Sequence, residues 1–334
     1  MTDTSIPSPL SPSALSVAQP TVQHRVLLSR LFFTMAALTL VLMAVGSATR
    51  VMNAGLACPD WPLCYGTILP TQQMTLQVFL EWFHRLIAST LGVLMIALTA
   101  FTWWRQHQSP RWVPIAAIAC LGLMILQGVL GGLTVTQLLR FDIVTAHLTT
   151  GLLFFSSLLA IGSALIPYQG TGVVGKLPVV GWVAVVCVYA QSILGGLVAS
   201  RWAVHQCLGG GRLCQVMNSH LLGVVPATIS VLVLALLVWR TAALHPYLRR
   251  LAQLATGLVT LQILVGLATL KLHLQVEWLT VTHQATGAML LGTLVMFSVM
   301  ALRDTQRAVF DHRRLTQPMP FIADTTENVQ TQRG

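Results

Sequence analysis

The chain has 334 residues, of which 55% are hydrophobic and only 8% are charged, whereas an average soluble protein is about 25% charged. This composition excludes an ordinary soluble domain and predicts a membrane protein with several spans. The formal charge of +10 does not indicate nucleic-acid binding, because the basic residues stand singly at the ends of apolar runs. We interpret them as signals of membrane topology.

The first 27 residues are rich in Ser, Pro and Thr, and they predict a disordered cytoplasmic tail over 1–27. The apolar run that follows has no A-x-A cleavage site close behind it, so we interpret it as a retained helix rather than a signal peptide. A spanning helix needs about 20 mostly apolar residues. Eight runs qualify, and they are roughly 28–49, 80–104, 114–135, 142–166, 178–200, 218–239, 249–270 and 278–302. The sequence therefore predicts an all-α, polytopic membrane protein.

The eight spans divide into two four-helix bundles. The N-terminal half covers 28–166 and the C-terminal half covers 178–302, with a linker at 167–177 and a cytoplasmic tail at 303–334. Placing both termini in the cytoplasm leaves 13 Lys and Arg residues inside against 5 outside, as the positive-inside rule requires. The N-terminal tail is too poor in Arg for a mitochondrial presequence, which favours a bacterial plasma (inner) membrane.

The two halves resemble each other in sequence. Segment 127–154 is similar to segment 262–291, since each runs from a Gln through small glycine-rich turns and a short polar connection to a His near the start of a new helix. The repeat is also visible in spacing. His84 and His147 are 63 residues apart, and so are His220 and His283. Because each half has an even number of spans, the repeats are expected to be parallel and pseudo-symmetric about an axis along the membrane normal.

Four histidines occupy matching positions in the even-numbered helices. His84, His147, His220 and His283 each lie about five residues into a predicted span, roughly 5–10 Å below its outer end. Each half thus offers two imidazoles, as a bis-imidazole haem site requires. Histidines bonded to backbone at helix starts are the alternative. Zinc would want more ligands, and a non-haem Fe(II) triad that adds Glu81 to the N-terminal pair stays open as a minor option.

The N-terminal pair has charged neighbours that the C-terminal pair lacks. Glu81 lies one turn before His84 on nearly the same face, and Arg85 is placed to pair with it. At the matching position before His220 stands Met217. We interpret Glu81 as a functional residue, with a favourable helix-dipole contact as the alternative. This asymmetry predicts one permanent haem and one haem that is worked upon.

Further arginines and cysteines lie near the outer ends of the spans. Arg50 and Arg201 are candidates to bind haem propionates, with interfacial anchoring as the alternative, and Arg85 is grouped with them as a cofactor-binding residue. Cysteine pairs stand in both long outer loops, on the side where disulfides persist. They predict two intraloop disulfides, with redox-active or metal-handling thiols as the alternative. The pairs are Cys58 with Cys64 and Cys207 with Cys214.

Over roughly residues 30–302 the chain resembles the haem A synthase family. The resemblance rests on "EWFHRL", "TAHLTTG", "NSHLLG" and "THQATG", together with the paired cysteines. It implies an oxidoreductase of cytochrome oxidase assembly, which converts the C8 methyl of the substrate haem O to a formyl group by successive hydroxylations. It also implies that haem b binds to His220 and His283, that haem O binds at His84 and His147, and that Glu81 is catalytically important.

The resemblance implies haem O and membrane lipid as partners, with a haem O synthase and oxidase assembly factors as further candidates. It does not identify the electron donor, and it leaves open whether the protein forms a homo-oligomer. No G-x-G-x-x-G fingerprint is present, so electrons are expected to pass through the resident haem. The alternative function is a di-haem b-type electron carrier without haem-modifying activity. A transporter is disfavoured, because the ionisable residues cluster near the outer face rather than the midplane.

Overall fold

The computed structural model describes the backbone of residues 12–201, 212–272 and 275–316, and the side chains of residues 22–200, 215–272 and 275–305. Within these ranges the chain forms eight α-helices, two short 3-10 turns and an isolated β-bridge between Cys64 and Thr67. In chain order the helices are α1 Pro12–Val51, α2 Leu76–Trp104, α3 Trp112–Thr136, α4 Phe141–Leu165, α5 Leu177–Arg201, α6 Arg212–Arg240, α7 Pro246–Lys271 and α8 Glu277–Thr316.

All eight helices are long and apolar enough to cross a membrane, which confirms the predicted all-α, polytopic architecture. Several helix boundaries differ from the prediction, three of them by more than four residues. α1 begins at Pro12, inside the predicted disordered tail, α6 begins at Arg212 rather than 218, and α8 continues to Thr316, past the predicted end at 302. The reason is that an apolar run marks only the embedded part of a helix, whereas the backbone hydrogen bonds can continue into water.

The glycine-rich stretches of the repeat are helical, contrary to the prediction of turns. Residues 127–132 lie inside α3, and residues 262–266 lie inside α7. In a membrane helix, a small residue lets a neighbouring helix or side chain approach closely without breaking the backbone hydrogen bonds. Gly131, Gly132 and Gly266 therefore mark close contacts rather than chain reversals.

Each half closes into a four-helix bundle. Helices α1, α2, α3 and α4 contact one another in a ring, and α5, α6, α7 and α8 do the same. Each bundle has its own buried apolar cluster, which includes Phe32 and Leu158 in the first half and Leu234 and Phe297 in the second. Each ring of four helices therefore surrounds most of one apolar cluster.

The halves meet along α1 and α4 on one side and α5 and α8 on the other. α8 is the central helix of the molecule, since it contacts α1, α4, α5 and α7. Of its most apolar 18-residue stretch, 72% is buried, against 50% or less for the same stretch in each other helix. Leu40, Met43, Val185 and Met296 pack against both apolar clusters, so the two cores are continuous across this interface.

The linker between the halves is bonded to the end of the α8 span. Asp304 is fully buried, and its carboxylate accepts hydrogen bonds from the Tyr168 hydroxyl at 2.7 Å and from the Gly172 N–H at 2.5 Å. The neighbouring Arg303 donates to the carbonyl of Ile166 at 2.8 Å. A buried carboxylate is tolerated only when it is hydrogen-bonded in this way, so these contacts fix the linker on α8.

Candidate functional site

The four predicted histidines lie at nearly the same depth in α2, α4, α6 and α8. His84 and His220 each follow the first residue of their helix by eight positions, and His147 and His283 follow theirs by six. These positions are about 12 and 9 Å along the helix. The depth is greater than predicted in α2 and α6, because both helices begin before their apolar runs.

The C-terminal pair faces each other beside an apolar cavity. The ring centres of His220 and His283 are 6.4 Å apart and their planes meet at 82°. Two imidazoles that bind one metal ion from opposite sides, with metal–nitrogen bonds of about 2 Å, place their ring centres roughly 6 Å apart. Both rings line a cavity of about 400 Å³, within the range typical of small-molecule sites. This geometry fits a planar group whose central metal lies between the rings.

The N-terminal histidines lie on α2 and α4, diagonally opposite helices of their bundle, as His220 and His283 do in theirs, and both are half-buried. In the described part of the chain, no three His, Cys, Asp or Glu side chains are grouped as a metal site. Glu81 therefore does not join the two histidines in an Fe(II) triad here, and the pair offers two imidazoles to a metal.

Each histidine ring lies against a glycine of the preceding helix. The sequence analysis did not predict this contact. The pairs are Gly46 with His84, Gly131 with His147, Gly195 with His220 and Gly266 with His283. A Cβ atom added to Gly46 or Gly266 would lie 2.7 Å from Cε1 of the facing histidine. The distance would be 3.0 Å at Gly195 and 3.5 Å at Gly131. A larger residue at these positions would displace the ring. The recurring glycine at one helix level was the sequence signal that could have revealed this contact.

The same contact brings each ring to a backbone carbonyl one turn earlier in the preceding helix. The residues that supply these carbonyls stand four positions before the glycines, and they are Leu42, Gln127, Gln191 and Gln262. For His84, His147 and His283 the geometry at Nδ1 falls short of a full hydrogen bond. A histidine ligand commonly points one ring nitrogen at a carbonyl, which orients the other nitrogen toward its metal. All four rings are therefore held in a way that suits metal binding.

Glu81 is buried, with 3% of its surface exposed, and it bonds the outer loop. Its Oε1 pairs with Arg85 at 2.5 Å, and its Oε2 accepts the N–H of Cys58 at 2.8 Å. Arg85 also donates to the carbonyls of Asp60 at 2.7 Å and Leu63 at 2.5 Å. The predicted Glu81–Arg85 pair is thus present, and it joins α2 to the loop. The assignment of Arg85 to cofactor binding stays a prediction, since its recorded partners are all protein groups.

The outer loop is closed by the predicted disulfide. Cys58 and Cys64 are bonded, with Cα atoms 4.8 Å apart, and both are buried. Inside this small ring, the Asp60 carboxylate accepts the N–H groups of Tyr65 at 2.6 Å and Gly66 at 2.8 Å. These bonds hold the pKa of Asp60 below its usual value, and the bond from Gly66 has the largest effect. The positive charge of Arg85 lowers the pKa further. The side chains of Arg201, Cys207 and Cys214 lie outside the described residues.

Arg50 belongs to α1, yet it lines the cavity of the C-terminal half together with His220 and His283. Its Nη2 donates to the carbonyl of Ser200 at 2.7 Å, while its buried Nε has no hydrogen-bond partner. A guanidinium with an unpaired N–H beside an apolar cavity suits a carboxylate ligand. The position agrees with the predicted propionate role, and it assigns Arg50 to the C-terminal site.

Eight helices that can span a membrane, arranged in two like halves with two histidines in each, define a class of helical membrane protein whose paired imidazoles suit haem-type groups. Residues 29–295 match the model of the cytochrome oxidase assembly protein family COX15-CtaA. The chain belongs to this family.

Three bacterial haem A synthases illustrate the similarity to known proteins. The chain is 29% identical to the Shewanella oneidensis protein over 308 residues, which cover 77% of this chain and 91% of the relative. It is 29% identical to the protein of Rhizobium etli strain CFN 42 over 327 residues, with 80% and 85% covered. For Caulobacter vibrioides the identity is 27% over 322 residues, with 80% and 93% covered. The similarity therefore extends over nearly the whole length of these relatives.

Proposed function

We propose that the protein is a haem A synthase, a membrane oxidoreductase that oxidises a methyl group of haem O to the formyl group of haem A. The observation that carries this proposal is the pair of histidine sites in matching halves, of which the N-terminal one has the buried Glu81–Arg85 pair, whereas Met217 stands at the matching position before His220. Family membership and the relatives named haem A synthase support the same conclusion.

The C-terminal site is assigned to a resident haem b. His220 and His283 are spaced to bind its iron from two sides, and Arg50 lies where it would pair with a propionate. When bound, haem b supplies one-electron chemistry that no side chain offers. The chain's own contribution is to hold the group, to orient both imidazoles through the Gly195 and Gly266 contacts, and to surround it with apolar side chains.

The N-terminal site is assigned to the substrate, haem O, held by His84 and His147. The outer loop reaches over this half. The Trp61 indole of the loop packs against Gly132 of α3, so closely that a Cβ atom added to this glycine would lie 3.2 Å from the indole. Glu81 bonds this loop through Cys58. We therefore assign Glu81 a positioning role: it fixes the loop at the outer end of the site and helps to exclude water, which strengthens the polar contacts inside.

Both termini are assigned to the cytoplasm of a bacterial inner membrane, with the disulfide loop on the outer side. The excess of Lys and Arg on the inner side supports this orientation, and so does the Cys58–Cys64 disulfide, which suits an oxidising compartment. Contacts with a haem O synthase, with assembly factors and with an electron donor stay predictions, as does a homo-oligomer.

Pigment extraction tests the function. The protein is produced together with a haem O synthase in a host that makes no haem A, and the haems are separated and identified by mass spectrometry. Haem A and its hydroxylated precursor are expected, and both should be absent without this protein. A di-haem electron carrier would instead leave haem O unchanged. The proposal would be contradicted if membranes with the full-length, haem-loaded protein contained haem O but neither haem A nor its hydroxylated precursor.

A further inference from the structure

Three of the four histidines have a glutamine from the preceding helix beside them. The Nε2 of Gln191 donates to the backbone carbonyl of His220 at 2.8 Å and lies 3.0 Å from the ring Nδ1. The Nε2 of Gln262 lies 3.2 Å from Nε2 of His283. These amides connect α5 to α6 and α7 to α8 at the level of the histidines, so a glutamine lies beside both C-terminal rings. The Gln262 amide faces the nitrogen of His283 that would bind a metal, so it would have to turn aside when the metal is bound.

In the N-terminal half, His147 has a related brace. The Nε2 of Gln127 in α3 donates to the backbone carbonyl of His147 in α4 at 2.8 Å. Its bond fixes the α4 backbone at the histidine against α3. The three glutamines stand at one level, each four residues before the glycine that contacts the ring.

A second glycine makes room for each glutamine amide. It lies on the histidine's own helix, one turn after the ring, and the pairs are Gln127 with Gly151, Gln191 with Gly223 and Gln262 with Gly287. A Cβ on these glycines would lie 3.7, 2.2 and 3.1 Å from the nearest amide atom. The glutamine and this glycine thus form one unit, the glutamine brace, which is repeated three times in the molecule.

His84 lacks both parts of the glutamine brace. Leu42 occupies the glutamine position in α1, and Ala88 occupies the glycine position in α2. The Nδ1 of His84 is buried without a full hydrogen bond. The Thr49 hydroxyl of α1 donates a hydrogen bond to the carbonyl of Leu80 in α2 at 3.3 Å, one helical turn before His84. The ring of His84, like that of His147, is positioned by a glycine and a backbone carbonyl, but the α2 backbone at His84 has no glutamine bond to the preceding helix such as the one that fixes α4 at His147.

From this contrast we propose that His84 is the exchangeable ligand of the N-terminal site, the imidazole that leaves the iron so that substrate can enter and product can depart, while His147 stays bound. The inference rests on the proposed function, since it concerns the haem bound there. A bound group that must be exchanged has to lose its ligands, and the ligand with the fewest orienting contacts is released most easily. The permanent site, in contrast, has a glutamine at both rings.

Building the missing brace tests this inference. In Leu42→Gln/Ala88→Gly, the new amide should hold the α2 backbone or the ring, and the rate at which N-terminal haem is lost to apomyoglobin should fall roughly fivefold, the effect of one typical hydrogen bond. Carbon monoxide binding to the reduced N-terminal haem should fall in parallel. Leu42→Met, which adds no hydrogen-bonding group, is the matched control and should behave like the wild type. Equal rates in both variants would overturn the inference.

A second comparison does not depend on engineering a new contact. His84→Ala should retain N-terminal haem with the carbon monoxide spectrum of the wild type, whereas His147→Ala should lose it, as counted by haem per chain after purification. Equal retention, or the reverse order, would overturn the inference. The C-terminal haem spectrum reports folding in each variant. Because both measurements follow ligand release and not product, they remain decisive if pigment extraction shows no haem A and the proposed enzyme activity fails.

Discussion

The two halves of the molecule contain the same histidines and glycines but surround them with different chemistry. In the C-terminal half, the amides of Gln191 and Gln262 lie beside both rings. In the N-terminal half, the charged groups of Glu81 and Arg85 connect the histidine helix to a disulfide-closed loop. If the proposed function holds, the shared histidines define what kind of group binds, and the different contacts around them define whether that group is kept or transformed.

Removing a ligand of the C-terminal site should have the largest effect on this comparison. His220→Ala leaves one imidazole where two are needed, so haem b should be lost and haem A formation should fall by at least about 100-fold. Haem per chain, measured by the pyridine haemochrome method, checks the outcome. His107→Ala is the control, because that residue is exposed in the turn after α2. An unchanged haem b content in His220→Ala would remove the basis for calling this half the permanent site.

Breaking the buried ion pair should affect the N-terminal half alone. Glu81→Ala leaves the Arg85 guanidinium and the Cys58 N–H without their partner, at a cost of about 3–5 kcal/mol for a buried pair. Haem A formation should fall by roughly 10- to 100-fold, while the visible spectrum of the C-terminal haem stays unchanged. Asp142→Asn removes the exposed pair with Arg140 and should change neither quantity.

A Glu81→Gln variant separates the charge from the shape of this side chain. The amide keeps an oxygen that can accept the Cys58 N–H but gives up the charge opposite Arg85, so an intermediate loss of product is expected. If both Glu81 variants formed haem A at the wild-type rate, the assigned role of the loop would be wrong.

Enlarging the histidine-facing glycines should produce moderate effects that are confined to one half. In Gly195→Ala the new Cβ would meet His220 Cε1 at 3.0 Å, and such overpacking typically costs about 1–3 kcal/mol. The electron paramagnetic resonance signal of haem b should shift and its content should drop. Gly46→Ala should leave that signal unchanged, because it meets His84 instead. Gly257→Ala, where the added atom meets nothing within 4 Å, is the neutral control, and a shift there would show that the signal is not specific.

The outer loop should contribute the smallest effect, and it should depend on pH. The pKa of Asp60 is lowered by the N–H groups of Gly66 and Tyr65, so its contribution is complete above the ordinary aspartate value near 4 and is lost as the pH falls through the lower folded value. At neutral pH, Asp60→Asn should modestly speed amide hydrogen exchange at Gly66. On acidification this difference from the wild type should shrink. A difference that grows toward acid would contradict the assigned sign.

Much of the fold was predictable because its signals are local. Apolar runs predict the eight spans, and the equal spacing of the four histidines predicts that they belong to two matching pairs. The helix ends at Pro12 and Thr316 were missed, since helical backbone beyond the membrane leaves no apolar signature. The first-loop disulfide followed from proximity in sequence and is present.

The contacts that distinguish the two sites were not predictable, because they join distant parts of the chain. Gly195 and Gln191 act on a histidine of the next helix, and neither residue type suggests a metal site by itself. Arg50 was expected at a haem carboxylate, but its sequence position points to the N-terminal half, whereas helix packing brings it to the C-terminal cavity. The pairing of Glu81 with Arg85 was predicted and is present, while the bond of Glu81 to Cys58 required the loop conformation.

The central position of α8 has a consequence for how the protein is made. This helix leaves the ribosome after α1 to α7, yet α1, α4, α5 and α7 all pack against it. The first half therefore enters the membrane without the partner that its own α1 and α4 contact, and its final packing waits until α8 has been made. A premature stop anywhere before residue 277 would deprive both histidine pairs, and not merely the C-terminal one, of this shared support.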